Sequence, residues 1–238
     1  MFIMVDGIDG SGKSTVITAW KEHLAAAGNT IFDLREYWKE HGTYPHFSEL
    51  KSYDFIFSAE PTYVGMGKVI REELIRKGTH YPPLAIAEAY SLDRLILYEN
   101  SIVPALKAGK WVIQDRGVST SLCYQVSGGL DEKTVRELPG NAFALTHRPD
   151  HLLIITVPPE TALKRLAGRS DKQDNVIFEQ LEFQTRAAER FISPEFKQLF
   201  TKAGTAVHYL SGVPKADIMR QEAVRILEPL LAPAPTKL

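Results

Sequence analysis

Gly7-Ile8-Asp9-Gly10-Ser11-Gly12-Lys13-Ser14-Thr15 is the stretch that decides the fold of this chain. It fits G-x-x-x-x-G-K-[ST] at every fixed position, and it lies between the apolar run 1–5 and a helical pattern that begins near Thr15. Glycines let such a loop turn so that successive backbone N–H groups point inward, and the helix N-terminus adds positive potential. Lys13 is then placed to reach the outer phosphates of a nucleotide, and the Ser14 hydroxyl to hold Mg²⁺. The stretch therefore predicts a binding site for the phosphates of ATP or GTP.

Composition and charge favour a soluble protein with one core. The chain has 238 residues, of which 44% are hydrophobic, and its net charge of -1 gives no electrostatic footprint for nucleic acid. It has no apolar run near the ~18 residues of a membrane span, and it opens on a strand-like run without the features of a secretory signal. The single cysteine, Cys123, fits a reducing compartment. We expect a cytoplasmic protein without a nucleic-acid or membrane partner.

Buried-strand patterns alternate with helical patterns along the chain. This alternation predicts a three-layer α/β/α fold of the P-loop NTPase type, with a parallel five-stranded sheet covered on both faces. Strands are expected at 1–5, 30–34, 111–115, 151–157 and 206–210. We expect one domain over residues 1–238, with an aromatic and charged insertion at about 35–57 and a polar lid at about 165–176.

Five blocks, in their order along the chain, resemble those of the thymidylate kinases, a family of P-loop nucleoside monophosphate kinases. After the phosphate loop come counterparts of the Glu-Pro-Gly-Gly-Thr segment, of a helix motif ending Ala-Asp-Arg, of an Asp-Arg block ending Ala-Tyr-Gln, and of the entry to the lid. The blocks are 6–15, 60–71, 90–94, 115–125 and 157–165. The resemblance implies ATP-dependent phosphoryl transfer to dTMP, giving dTDP and ADP, with Mg²⁺ and in a homodimer. It assigns the ATP phosphates to Gly7, Asp9, Gly10, Ser11, Gly12, Lys13, Ser14 and Thr15.

Charged residues suited to the acceptor phosphate accompany these blocks. Phosphoryl transfer between two nucleotides needs positive charge on both sides of the moving group, and the arginine fork matches phosphate oxygens. Arg71 and Arg116 match family arginines and are the candidates for the acceptor phosphate. The resemblance implies that Asp9 binds the 3'-hydroxyl of the acceptor sugar and shares Mg²⁺. Asp115, at the end of a strand, is a candidate magnesium anchor and Glu60 a candidate organiser, although each could be an ordinary carboxylate paired with arginine.

Recognition of a base requires a flat stacking partner and a hydrogen-bond donor. Tyr90 and Arg94 are four residues apart on a predicted helix and share a face, although Tyr90 also suits a core position. By resemblance, Tyr90 stacks on thymine and Arg94 bonds its carbonyl, assisted by Ser121 or Gln125. Tyr124 matches the tyrosine that crowds the 2' position of the sugar and so favours deoxyribose.

The resemblance also requires a catalytic cation, which the family takes from the phosphate loop or from the lid. Gly10 and Ser11 are not basic, so we expect Arg165 or Arg169 to supply it, with Lys172 as a third candidate. A lid would exclude water from the reaction. The expected catalytic residues are Asp9, Lys13, Arg116, Arg165 and Arg169.

Three departures from the family pattern fall on the acceptor side. Ala59 stands where the family usually has arginine, Gly117 where it has an aromatic residue, and Thr62-Tyr63 where it has Gly-Gly. ATP-dependent transfer is therefore better supported than dTMP as its acceptor.

Two alternatives follow from these departures. The first is a kinase for another nucleotide or a nucleoside, and the second is a P-loop protein that uses nucleotide as a regulatory ligand and binds a partner through the insertion. The insertion offers Arg35 and Lys39 as replacement cations, and it also suits a surface elaboration or a dimer element.

Overall fold

Six parallel strands form one open sheet in the computed structural model, which describes residues 1–168, 177–178 and 180–231. Their order across the sheet is β2-β3-β4-β1-β5-β6, so β1, which leads into the phosphate loop, lies between β4 and β5. The strands are β1 Phe2–Asp6, β2 Ile31–Asp33, β3 Phe55–Ala59, β4 Trp111–Asp115, β5 His151–Thr156 and β6 Ala206–Ser211. The parallel α/β class predicted from the sequence is confirmed.

The sheet has six strands in the described chain rather than the expected five, because Phe55–Ala59 forms β3 instead of the end of an insertion. In the register of this strand, Phe57 pairs with Asp33 of β2 and with Ile113 of β4. All five residues of β3 are buried. A short, nearly continuous apolar run of this kind is typical of a parallel strand that is covered on both faces.

Helices cover both faces of the sheet. They are α1 Lys13–Ala26, α2 Leu34–His41, α3 Phe47–Leu50, α4 Gly65–Val69, α5 Pro83–Leu97, α6 Val103–Lys107, α7 Val118–Ser127, α8 Glu132–Glu137, α9 Pro139–Thr146, α10 Pro159–Ala167, α11 Leu181–Ile192, α12 Pro194–Thr201 and α13 Ala216–Leu231. π-Helical turns at Ile70–Leu74 and Tyr98–Ile102 continue α4 and α5. No helix in the described ranges has the length and apolarity of a membrane span.

Alternate residues of the strands face two separate hydrophobic cores, as the period of a strand requires. On one face α1 packs against α13, and Trp20 Nε1 donates a hydrogen bond to the Ala223 carbonyl oxygen 2.7 Å away. On the other face lie α5, α7 and α11, which contribute Leu97, Leu122 and Phe191. The insertion is anchored to this second core through the buried Trp38 of α2. The sheet is therefore rigidly supported beneath the edge where its strands end.

Substituting Gly140 by alanine should destabilise the fold. The Gly140 N–H donates a hydrogen bond to Ser91 Oγ at 2.8 Å, and a Cβ at this position would collide with the Ser91 carbonyl oxygen of α5. Overpacking of this kind costs about 2 kcal/mol of unfolding free energy, which urea denaturation would measure. Gly168→Ala is the matched control, because its Cβ would meet Lys164 O at an ordinary 3.5 Å. Equal unfolding free energies for the two variants would contradict this account of the packing between α5 and α9.

Candidate active site

A cleft of about 420 Å³ opens at the carboxyl ends of β1, β3 and β4. Ligands of open parallel sheets bind at this edge. Most of the predicted site residues line the cleft, namely Asp9, Gly10, Gly12, Lys13, Ser14, Glu60, Arg71, Tyr90, Arg94, Asp115, Arg116 and Tyr124. Residues that lie far apart along the chain therefore meet in one place.

The phosphate loop joins β1 to α1 in a conformation that requires glycine. Gly7 and Gly10 have φ values of 139° and 77°, which L side chains rarely adopt. A Cβ on Gly7 would collide with the carbonyl oxygen of Ile155 in β5, and one on Gly10 with that of Ala162 in α10. The loop is therefore pressed between β5 and α10, and α1 begins directly after it at Lys13.

Lys13 is folded back across its own loop. Its Nζ donates hydrogen bonds to the carbonyl oxygens of Gly7 at 2.9 Å and Ile8 at 2.8 Å, and the residue is only 7% exposed. Burial and the neighbouring Arg116 lower the pKa of Lys13 to about 8, although nearby carboxylates, chiefly Asp9, oppose this shift. An arriving phosphate would raise the pKa of Lys13 back toward its usual value.

Arg116 connects the end of β4 to the phosphate loop. Its backbone has a left-handed φ of 67°, and its N–H donates to the Val5 carbonyl oxygen at 2.9 Å. Its guanidinium pairs with the Asp9 carboxylate and donates to the Gly7 carbonyl oxygen at 3.2 Å. Arg116 thus places a fixed positive charge against the loop.

Asp9 is held by a second group besides Arg116. The Tyr124 hydroxyl accepts a hydrogen bond from the Asp9 N–H at 3.0 Å and donates to its carboxylate at 3.3 Å. Burial raises the pKa of Asp9, but Arg116 and Lys13 more than offset this, so the pKa lies below its usual value. Asp9 is therefore an ionised acceptor at neutral pH, at the point where the loop faces the cleft.

A buried ion pair forms the floor of the cleft. Arg94, 1% exposed, donates to Glu60 Oε2 at 2.6 Å, to the Gly117 carbonyl oxygen at 3.1 Å and to Ser121 Oγ at 3.0 Å. The other Glu60 oxygen accepts from Gln114 Nε2 at 2.9 Å. Burial raises the pKa of Glu60 to about 7, and Arg94 opposes this shift. Ser121 is thus a partner of Arg94. The hydrogen bond expected from Arg94 to the carbonyl of a base stays a prediction.

Arg71 and Tyr90 also line the cleft. Arg71 Nε donates to the carbonyl oxygens of Pro61 and Thr62, both at 3.0 Å, and its guanidinium carbon lies 4.0 Å from the centroid of the Tyr63 ring. Tyr90 is half-buried and packs against a small apolar cluster formed by α4, α5 and the residues beside them. Its ring therefore belongs to the apolar cluster and also lines the cleft, while its stacking on a base stays a prediction.

This geometry agrees with comparisons to known proteins. A sequence model described as thymidylate kinase matches residues 44–201. The chain belongs to the thymidylate kinase family. It is 34% identical to a probable thymidylate kinase of Thermococcus onnurineus, over 83% of this chain and 87% of the relative. It is 31% identical to the thymidylate kinase of Carboxydothermus hydrogenoformans, over 84% of this chain and 86% of that protein. The family resemblance seen in the sequence is confirmed.

The residues present fit the Mg²⁺ that thymidylate kinases generally require with ATP. Ser14 is exposed in the cleft, and Asp115 Oδ1 is buried without a hydrogen-bond partner in the described chain. Hydroxyl and carboxylate oxygens are the ligands that Mg²⁺ prefers. Residues 1–168, 177–178 and 180–231 contain no cluster of three or more His, Cys, Asp or Glu side chains arranged for a metal.

Asp6 is a site residue to which sequence reasoning gave no role. It is completely buried, accepts hydrogen bonds from the Gly7 N–H at 2.8 Å and Thr120 Oγ1 at 2.7 Å, and lies 3.6 Å from Arg116. Burial raises its pKa, although Arg116 and Lys13 oppose the shift. Its position at the carboxyl end of a buried strand, as for Asp115, was the available signal.

Several predicted residues are not brought to the cleft. Arg165 donates to the carbonyl oxygens of Gly212 at 2.7 Å and Val213 at 3.3 Å, in the loop after β6, and does not line the cleft. Its expected catalytic role is therefore not supported by its position in this structure. Gln125 is buried beside the cleft without lining it. Arg169 and Lys172 lie outside the described residues.

In mildly alkaline solution, the protein should take up protons when it binds ATP. Lys13 has a pKa of about 8 without ligand, and phosphates beside it would raise that pKa. Affinity should therefore fall as the pH rises above about 8, and binding at about pH 9 should transfer part of a proton to the protein. Titration calorimetry in buffers of different ionisation enthalpy measures this uptake. Lys13→Arg is the control, because arginine stays charged. Equal proton uptake by the wild type and this variant would contradict the assignment to Lys13.

Proposed function

We propose that this protein is an ATP-dependent dTMP kinase that converts ATP and dTMP into ADP and dTDP. The observation that carries the proposal is the contact between Arg116 and Asp9, which joins a cation suited to the acceptor to the loop suited to the donor. Arg71 and Tyr90 line the same cleft. The names of the relatives support thymidylate as the acceptor. The cytoplasmic location and the homodimer expected from the sequence remain predictions.

The charge of the cleft favours two phosphorylated substrates. Its described lining contains six basic side chains and four carboxylates, although the whole chain carries a net charge of -1. The basic residues are Lys13, Arg35, Arg71, Arg76, Arg94 and Arg116, and the carboxylates are Asp9, Glu60, Glu72 and Asp115. Such local concentration of positive charge attracts anions and stabilises the charge that moves during phosphoryl transfer.

In the proposed reaction, an oxygen of the dTMP phosphate forms a bond to the γ-phosphorus of ATP. The bond from this phosphorus to the oxygen that bridges to the β-phosphate breaks, and ADP leaves with that oxygen. Lys13 neutralises the donor phosphates, and Ser14 and Asp115 would hold the Mg²⁺, which would shield the charge of the same phosphates. Arg116 and Arg71 hold the acceptor phosphate. Catalysis is then mainly alignment and electrostatic stabilisation.

Asp9 and Tyr124 together provide the proposed selection for deoxyribose. The ionised Asp9 accepts a hydrogen bond from the 3'-hydroxyl of the acceptor sugar. Tyr124 is 3% exposed, and its ring makes edge contacts with Phe178 and Phe183. Because packing and the hydrogen bonds to Asp9 fix the tyrosine, it cannot easily move aside for a 2'-hydroxyl. Tyr90 supplies the stacking surface for thymine.

A panel of acceptors tests the proposed function. Purified protein with ATP and Mg²⁺ is given each nucleoside monophosphate in turn, and release of ADP is followed by a coupled assay. We expect dTMP to give the highest kcat/KM and its ribose counterpart to be poorer. If dTMP releases no more ADP than a control without acceptor while another nucleotide does, the acceptor is that nucleotide. ATP binding without transfer to any acceptor would support the regulatory alternative.

Arg116→Ala should weaken the binding of dTMP more than the binding of ATP. Removing a charged hydrogen-bond donor from a phosphate costs about tenfold or more in affinity, so the KM for dTMP should rise by that factor. The KM for ATP should change much less. Arg186→Ala is the control, since Arg186 on α11 is 48% exposed in its side chain and pairs only with Glu182 and Ser127 among the described residues. Equal losses for both substrates would contradict the placement of Arg116 on the acceptor side.

A further inference from the structure

Arg35 reaches the cleft from the insertion. It is the second residue of α2, which begins directly after β2. Asp33, at the end of β2, pairs with Phe57 of β3, and both Arg35 and Ala59 line the cleft. Ala59 contributes only a methyl group to this lining, whereas Arg35 contributes a guanidinium.

Asp33 holds the Arg35 side chain in one orientation. Its Oδ1 accepts from the Arg35 N–H at 2.8 Å and from Nε at 3.1 Å, and its Oδ2 accepts from one terminal nitrogen at 2.9 Å. Lys21 Nζ, 2.7 Å from Oδ2, fixes the carboxylate in turn. The Asp33 side chain is 3% exposed and that of Arg35 is 21% exposed. The guanidinium is thus preorganised and pays little conformational entropy on binding a ligand.

The remaining terminal nitrogen of Arg35, Nη1, has no hydrogen-bond partner in the described part of the chain. Burial lowers the pKa of Arg35, but Asp33 raises it, and Asp115 and Tyr63, which also line the cleft, act in the same direction. The guanidinium is therefore charged and lies within electrostatic range of Asp115, at the end of β4. This combination of a fixed cation and an unused donor suits a phosphate oxygen.

Other cations near this wall are less suited to that role. Lys39 lies one turn further along α2, 4.9 Å from the centroid of the Tyr63 ring, and does not line the cleft. Arg76 lines the cleft but is exposed. Only Arg35, of these three, combines access to the cleft with a fixed side chain.

We propose that Arg35 binds the phosphate of the acceptor nucleotide together with Arg71, and that Asp33 is its positioning residue. This rests on the proposed function, in that the acceptor is a nucleoside monophosphate. Arg35 precedes residues 44–201, the segment that the family model matches, so the match does not assign it. The insertion thereby contributes directly to substrate binding instead of only elaborating the surface.

Comparison of dTMP with thymidine, which lacks the phosphate, tests the role of Arg35. Calorimetric titration of the wild type should show tighter binding of dTMP, and Arg35→Gln should reduce this preference about tenfold while the affinity for thymidine stays within about twofold. An unchanged preference in Arg35→Gln would overturn the proposal. So would an equal loss in Lys39→Gln, the control on the same helix. The unfolding midpoint of each variant verifies that it is folded.

If the proposed function is wrong, the experiments give a different result. In that case the wild type would prefer another nucleoside monophosphate in the acceptor panel. The Arg35 test then uses that nucleotide and its nucleoside, with the same expected loss and the same overturning result.

Asp33→Asn tests the positioning role, because asparagine retains the helix cap but loses the charge. We expect a partial rise in the KM for dTMP, with kcat and the KM for ATP nearly unchanged. In a double-mutant cycle, Asp33→Asn should add little to the effect of Arg35→Gln. Additive effects on the KM for dTMP would show that Asp33 does not act through Arg35 and would overturn this part of the proposal.

Discussion

The ion pair between Arg116 and Asp9 is the interaction on which the candidate site depends. It joins the residue that follows β4 to the loop that follows β1, and these strands are neighbours in the sheet. Asp6 and Asp9 both lie next to the guanidinium of Arg116 and balance its positive charge. An unpaired cation in so enclosed a place would be costly, and these two carboxylates prevent that cost. The pairing therefore serves both stability and the binding of anions.

Two further ion pairs between a carboxylate and an arginine lie around the cleft. Glu60 is paired with Arg94 on the floor, and Asp33 with Arg35 on the wall. In each pair the carboxylate lies at or just beyond the end of a strand and holds an arginine in place by hydrogen bonds. Long side chains that are already ordered lose less entropy when a substrate arrives. The site therefore holds its cations in defined positions before any nucleotide binds.

The insertion both packs into the hydrophobic core and contributes to the lining of the cleft. Trp38 anchors α2 to the hydrophobic core, while Arg35 on the first turn of the same helix faces the cleft. Packing of an apolar face thus fixes the position of a charged residue three positions away. This offers a physical route by which a chain with Ala59 in place of an arginine retains a cation on the acceptor side.

The sequence by itself determined the phosphate loop, the parallel α/β class and the carboxylate at the end of β4, because each depends on a local pattern of glycines or buried strands. The motifs, in their order along the sequence, also identified most of the residues that line the cleft. The tertiary structure alone decided that the sheet has six strands, that Asp6 lies next to Arg116, that Arg165 binds the loop after β6, and that Arg35 lines the same cleft as Ala59. Each of these depends on which elements are neighbours in space. Local periodicity carries no information about that choice, because it is made by the packing of side chains between distant segments.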